Sequence, residues 1–315
     1  MKSPLRLAGH WMAAPALVLA AAFATPVRAQ APAGTTEPVA REQAADTSQP
    51  TAEVAARVLP DAAPAAVAPF DLVQREGEHP LMPALRFAKE SLTLIDANIR
   101  DYQAILYKQE RIDGELHDTE VAYIKVRHQP FSVHLYFLAP KDAIGRECLY
   151  MEGLGGTDGK LHARDSGFRR KLGVFELDPE GRLAMSGQKY PITKIGVRNL
   201  VTELIARASN DVNFGECEVT TSQTVLGPKD GEKRPVTLIE VMHPVPRDNF
   251  RFHKAQVFID NEYRIPIRYA AYLWPATPGG EPPLEEAYTY VNLKVNNGFT
   301  DLDFSRENPD LFKSE

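Results

Sequence analysis

The chain has 315 residues, of which 36 are Lys or Arg, 42 are Asp or Glu and two are Cys. That length fills one or two domains. The acidic balance and the absence of an obvious clustered basic run argue against nucleic acid or anionic lipid as a partner recognised by bulk charge.

Met1–Ala29 reads as a secretory signal peptide. Lys2 and Arg6 make a basic start, Trp11–Ala24 is a short apolar run, and Val27-Arg28-Ala29 is a small-x-small cleavage site. The run is short of the roughly 20 residues a membrane-spanning helix needs. Removing Lys2, Arg6 and Arg28 takes the 36 basic residues to 33 against 42 acidic ones, a net charge of −9. The expectation is a soluble, exported protein, periplasmic or secreted, with no transmembrane anchor after processing. Residues 30–78 are expected to be a tether. Gln30–Pro69 is rich in Ala, Pro, Thr and Glu without an aromatic residue, so it buries too little apolar surface to offset its ordering entropy. Residues 79–315 form the expected domain.

Within it, Leu81, Leu85, Ala88, Leu92, Ile95 and Ile99 recur at spacings of three or four and predict an amphipathic helix over Leu81–Arg100. Tyr102–Arg111 and Glu115–Arg127 read as strands joined by the Asp113-Gly114 turn signal. Phe131–Leu138 follows Pro130, with Phe131, Val133, Leu135 and Phe137 on one face. Arg146–Gly153 and Leu161–Arg164 form a hairpin across Thr157–Lys160. The Gly-rich run Gly153–Lys160 fails the spacing of a phosphate loop, since Leu154 and Leu161 stand where Gly and Ser or Thr are required. Lys171–Leu177 and Arg182–Met185 read as a further strand pair turned at Asp178–Gly181.

Ile192–Ala208 returns to a helical period. Glu216–Leu226 and Val236–His243 are strands, and a meander follows over Ala255–Ile259, Tyr263–Trp274 and Glu286–Val295. In that meander Tyr263, Ile265, Ile267, Tyr269, Ala271 and Leu273 share a dry face, and Arg264, Arg268 and Tyr272 a polar one. About eleven strands in long runs interrupted by two helices predict an α+β fold with one antiparallel sheet. A sheet of that size spans about 50 Å, whereas each helix covers only about 10 Å. Part of the dry face is therefore expected to line a void.

Several stretches resemble a bacterial exported family of unknown function. They are Phe131-Ser132-Val133 after Gln129-Pro130, Gly145-Arg146-Glu147 before Leu149–Gly153, Tyr190–Thr193, and the C-terminal Tyr288-x-Tyr290-x-Asn292-Leu293 with Asn297–Asp301, Asp303-Phe304 and Asn308-Pro309. That family is similar to the lipoprotein-carrier superfamily, which includes LolA-like and LolB-like proteins and RseB. The resemblance implies a curved antiparallel half-barrel whose concave face is lidded by helices over a hydrophobic cavity. It implies a hydrophobic ligand, a lipid or lipid-linked molecule, as the partner. An envelope protein-interaction or sensor module and an enzyme with an unrecognised site stay open as alternatives.

The candidate cavity residues are Phe131, Val133, Leu135, Phe137, Tyr269, Tyr288 and Tyr290, since aromatic walls with few polar groups suit an apolar guest. No catalytic motif, metal cluster or cofactor signature is present. The histidines are scattered, without the paired spacing of zinc ligands. Cys148 and Cys217 are a candidate disulfide in an oxidising compartment.

Overall fold

The structure is a computed structural model that describes residues 70–153, 156–215, 217–228 and 231–313. The expected signal peptide and residues 30–69 of the expected tether lie outside the described residues. Among the described residues two α-helices, α1 (Met82–Asn98) and α2 (Val197–Asp211), accompany twelve strands: β1 (Asp101–Ile112), β2 (Glu115–Leu116), β3 (Glu120–Arg127), β4 (Ser132–Ala139), β5 (Glu147–Met151), β6 (Leu161–Arg164), β7 (Phe175–Leu177), β8 (Glu218–Leu226), β9 (Arg234–Met242), β10 (Lys254–Asp260), β11 (Pro266–Tyr272) and β12 (Leu284–Val295). All pairings are antiparallel. The order is β7-β6-β5-β4-β3-β1-β12-β11-β10-β9-β8, with β2 as a short addition to β1. The open sheet with its two helices is the half-barrel architecture expected from the sequence. Among the described residues no helix is long and apolar enough to cross a membrane.

Period-two alternation builds both faces. On the concave face Tyr102, Ala104 and Leu106 of β1, Ala122, Ile124 and Val126 of β3, and Val133, Leu135 and Phe137 of β4 belong to one apolar cluster. Ile95 and Ile99 from the end of α1 and Val197 and Val201 of α2 join that cluster, so both helices lie on the same face. The other end of the sheet meets α1 through Leu81 and Phe87, which pack with Ile239, Val241, Ala255 and Ile259. Phe70 stacks on Phe87 with ring centroids 4.2 Å apart.

The convex face mixes polar and apolar side chains, and the C-terminal segment packs on part of it. His134 Nε2 and Arg164 hydrogen-bond the buried Glu147 carboxylate at 2.9 and 3.2 Å, and the Phe312 amide donates to it at 2.9 Å. Burial opposes the charge on Glu147, but these partners hold its carboxyl below the usual range. Arg127 and Lys125 bind Asp301 and Asp303 at 2.6 and 3.3 Å, while Phe304 and Leu311 pack on Leu149 and Met151. Asp101 fixes the start of the segment by accepting hydrogen bonds from the amides of Asn297, Gly298 and Phe299.

Three local expectations need correction. The pair Lys171–Leu177 with Arg182–Met185 does not form. Gly167–Leu172 is a 3-10 turn, only Phe175–Leu177 pairs with β6, and the backbone of 178–188 closes successive turns on itself, as in Gly181 N to Asp178 O and Met185 N to Gly181 O. The second helix begins at Val197, not Ile192. Ile192–Lys194 is an isolated 3-10 turn, and Gly196 at φ +107° resets the chain. A Cβ on Gly196 would meet the Tyr102 hydroxyl at 2.8 Å, and that hydroxyl accepts the Val197 amide hydrogen at 3.0 Å. Glu115–Arg127 is two strands, because the His117 amide still bonds Glu110 across from it while Glu120 starts the ladder of β3.

Candidate functional site: a cavity on the concave face

Beside α2, the concave face of β1 and β3–β7 borders a cavity of ≈ 940 Å³. Its apolar wall comes from alternating residues of adjacent strands: Leu106, Ala122, Leu135 and Phe137, then Leu161 and Ala163. The roof is the irregular segment between β7 and α2, including Leu183, Met185 and Ile192, together with Leu200 and Leu204 of α2. A second cavity of ≈ 80 Å³ lies under the other side of α2, against β9–β11. Leu204 and Arg207 border both, so α2 is the partition between them.

One end of the large cavity is polar. Continuing the alternation of β1 past Leu106 brings Lys108 and Glu110 to the same face. Lys108 Nζ pairs with Glu120 at 2.7 Å and Glu110 at 3.4 Å, and hydrogen-bonds Gln188. Glu110 accepts from the Tyr288 hydroxyl at 2.6 Å and the Lys189 amide at 3.1 Å. Glu286, two residues before Tyr288, accepts from the Tyr190 hydroxyl at 3.0 Å and pairs with Lys189 at 3.0 Å. Arg146 stands 3.9 Å from Glu120 and 3.2 Å from Asp165, and its guanidinium lies 5.6 Å from the Phe137 ring centroid.

These charges neutralise one another at short range. Burial raises the tyrosine hydroxyls of Tyr288 and Tyr190, and the neighbouring Glu286 charge raises them further, so both stay protonated donors. Burial works against the Lys189 ammonium, yet Glu285 and Glu286 outweigh it and keep the group charged. Cys148 borders the cavity with its thiol pushed up to about 12 by burial, so it is a protonated, weakly nucleophilic group at neutral pH. The arrangement suits holding a molecule that is apolar along most of its length and carries hydrogen-bonding groups at one end.

Of the residues singled out from the sequence, Leu135, Phe137, Tyr269, Tyr288 and Tyr290 border this cavity. Val133 and Phe131 do not. Val133 is fully buried in the apolar cluster that contains Val197 and Val201, so helix packing fills the space over it. Phe131 precedes β4 and tilts its ring on Tyr150 at 6.1 Å. Cys148 and Cys217 are free thiols, which corrects the candidate disulfide. The reason is topological: Cys148 sits on β5, and Cys217 precedes β8 at the far edge of the sheet. Sequence reasoning missed the polar band of Lys108, Glu110, Glu120, Lys189 and Glu286. The signal was available in part, because Lys108 and Glu110 continue the period of Tyr102, Ala104 and Leu106, and Glu286 that of Tyr288 and Tyr290. Among the described residues no group of three or more His, Cys, Asp or Glu is placed to hold a metal ion.

No curated protein matches the chain. Several solved structures are similar to it, three of them as follows. A DUF1329 family protein from Desulfovibrio piger aligns with 72% of this chain and 98% of its own, at 11% identity and a TM-score of 0.35. A putative outer membrane lipoprotein-sorting protein domain from Vibrio parahaemolyticus aligns with 71% and 96%, at 13% identity and a TM-score of 0.33. The lipoprotein LppX from Mycobacterium tuberculosis aligns with 68% and 98%, at 14% identity and a TM-score of 0.36. The profile of a family described as "Protein of unknown function (DUF1571)" matches residues 99–312, from just before β1 to the C-terminal segment, and the chain belongs to that family.

Proposed function

We propose that the protein is an exported, periplasmic binding protein that holds a lipid or lipid-linked molecule in the concave cavity. The observation that carries this reading is the ≈ 940 Å³ volume against a wall of apolar side chains from adjacent strands. Ligand sites run from about 300 to 1,000 Å³ and combine apolar walls with a few placed polar groups. An apolar void stays dry or takes an apolar guest, so its wall selects against a purely polar ligand. The band around Lys108, Glu110 and Glu286 receives the polar end of the guest.

The test begins with solvent extraction of the purified chain and mass spectrometry of what leaves it. A stoichiometric lipid is the expected result. The delipidated chain should then take up a fluorescent fatty-acid probe, and Leu135→Trp, which projects an indole into the cavity, should weaken uptake at least ten-fold with the far-UV spectrum preserved. No extracted lipid and no uptake by the folded, delipidated parent would remove this reading and leave the fold as an envelope interaction module.

A further inference from the structure

The rim of the cavity beside the edge strand β7 is built unlike the rest of the surface. Against the expectation drawn from whole-chain charge, the sequence does hold one short basic run, Arg169-Arg170-Lys171, bracketed by Phe168 and Leu172. These residues form the 3-10 turn of Gly167–Leu172. Arg170 anchors it, donating to the carbonyls of Gly145 and Lys313 at 2.9 and 2.7 Å. The side chains on either side of that anchor point outward. Phe168 is 81% exposed, Leu172 64% and Leu183 on the neighbouring segment 73%. Lys171 is exposed with its ammonium 5.7 Å from the Phe168 ring centroid, and Arg182 is exposed beside Leu183. Arg169, Phe175 and Leu183 also border the large cavity, so this lip is its mouth.

Bare aromatic and aliphatic side chains interleaved with cations are the composition that seats a protein at the headgroup level of a bilayer. An anionic surface attracts each such cation within a Debye length. Of the carboxylates around the lip, Asp165 is engaged by Arg146 and Arg169 and Glu176 by Arg306, while the exposed Glu180 stands two residues before Arg182 and also borders the cavity. We propose that the lip formed by Phe168, Arg169, Lys171, Leu172, Arg182 and Leu183 docks the protein on an anionic lipid bilayer, with the cavity mouth facing the membrane. The inference rests on the ligand reading, since a mouth held against a bilayer is the geometry by which an amphiphile enters without crossing water.

Flotation of the full chain with vesicles tests it. Phosphatidylcholine vesicles containing phosphatidylglycerol should bind the chain at least ten-fold more tightly than phosphatidylcholine alone, and salt should weaken that binding. Phe168→Ser with Leu172→Ser, and separately Lys171→Glu, should each reduce flotation at least several-fold. Both variants should load the fatty-acid probe from solution as the parent does, because their side chains stand in solvent. Absence of flotation by the parent, or equal flotation by the parent and the double variant, overturns the docking surface. Flotation that persists in a chain unable to load the probe supports the docking surface and removes the ligand reading instead.

Discussion

From β11 toward β8 the concave face is packed almost solid, whereas from β1 toward β7 it faces a space more than ten times larger: ≈ 80 Å³ against ≈ 940 Å³. The strands on the two sides follow the same alternation of apolar and polar residues. What differs is the cover. Helix α1 lays Leu81 and Phe87 on β9–β11 with Phe70 stacked behind them, while β3–β7 receive only one flank of α2 and an irregular roof. A cavity of this kind arises from a shortage of helix and not from unusual strands. Its wall therefore looks like core in sequence, and only the reach of the helices decides which residues are core.

Exchanging side-chain sizes between the halves should break that symmetry most strongly. Phe87→Ala, at a residue 3% exposed, is expected to cost about 3–5 kcal/mol, because the packed half cannot collapse around the loss. Ala255→Trp should cost at least about 1–3 kcal/mol by overpacking the same half. Ala122→Trp, equally buried in the structure but facing the large cavity, should cost under about 1 kcal/mol. Urea unfolding of the three variants reads the contrast, and equal costs for Ala122→Trp and Ala255→Trp would mean that the cavity is not free space.

A smaller effect separates the halves by pH. The His243 ring is fully buried in the packed half, stacked 3.9 Å from Phe250, with Nδ1 3.2 Å from the Phe252 carbonyl. Burial lowers its pKa, and Asp211 at 3.8 Å only partly offsets this. The unfolded chain takes up the proton near pH 6.5, so the stability is fully present above that pH. It is lost as pH falls from there toward the lower folded pKa, with a limiting slope of about 1.4 kcal/mol per pH unit for one proton. Burial shifts His128 the same way. The urea midpoint should drop between pH 7 and pH 5, and a flat profile would show that these imidazoles charge freely in the folded state.

The gentlest probe is the two thiols, one in each half. Burial pushes both Cys148 and Cys217 up to about 12, so both should alkylate slowly at pH 8 in the native chain. Because Cys148 borders the large cavity and Cys217 does not, filling the cavity with the fatty-acid probe should slow Cys148 alone. Denatured, unreduced chain should take up two alkyl groups; none would indicate a bridge.

Much of this was legible from spacing. Leu161–Arg164 matches its predicted range, and Leu81, Ile95 and Ile99 of the predicted helix stripe pack on the sheet as its period requires. The shortfall of helix cover followed from strand and helix widths. Other features depended on distant partners. Val133 and Leu135 are two residues apart on one face and in one buried cluster with Val197 and Val201, yet only the second also borders the large cavity. Nothing near β4 in sequence encodes where α2 stops. Leu183 alternates like a strand residue but has no strand beside it, because β7 is too short to extend the sheet. The polar band is held together by residues from β1, β3, β12 and the 188–190 segment, which meet only in the folded sheet.

The position of β1 bears on how the chain folds. This strand, the first major one in sequence, lies in the middle of the sheet and pairs with β12, the last, joining Glu110 to Glu286 and Tyr102 to Val295. The hydrogen bonds that the amides of Asn297, Gly298 and Phe299 donate to Asp101 tighten the same junction. Closing so long a loop costs little more in entropy than closing a shorter one, since each doubling adds only about 0.6 kcal/mol. Its effect is on rate, because high contact order slows folding. The sheet cannot be completed from the N-terminal side onward. Its central ladder waits for the last strand, so the chain remains threadable until nearly all of it has been delivered.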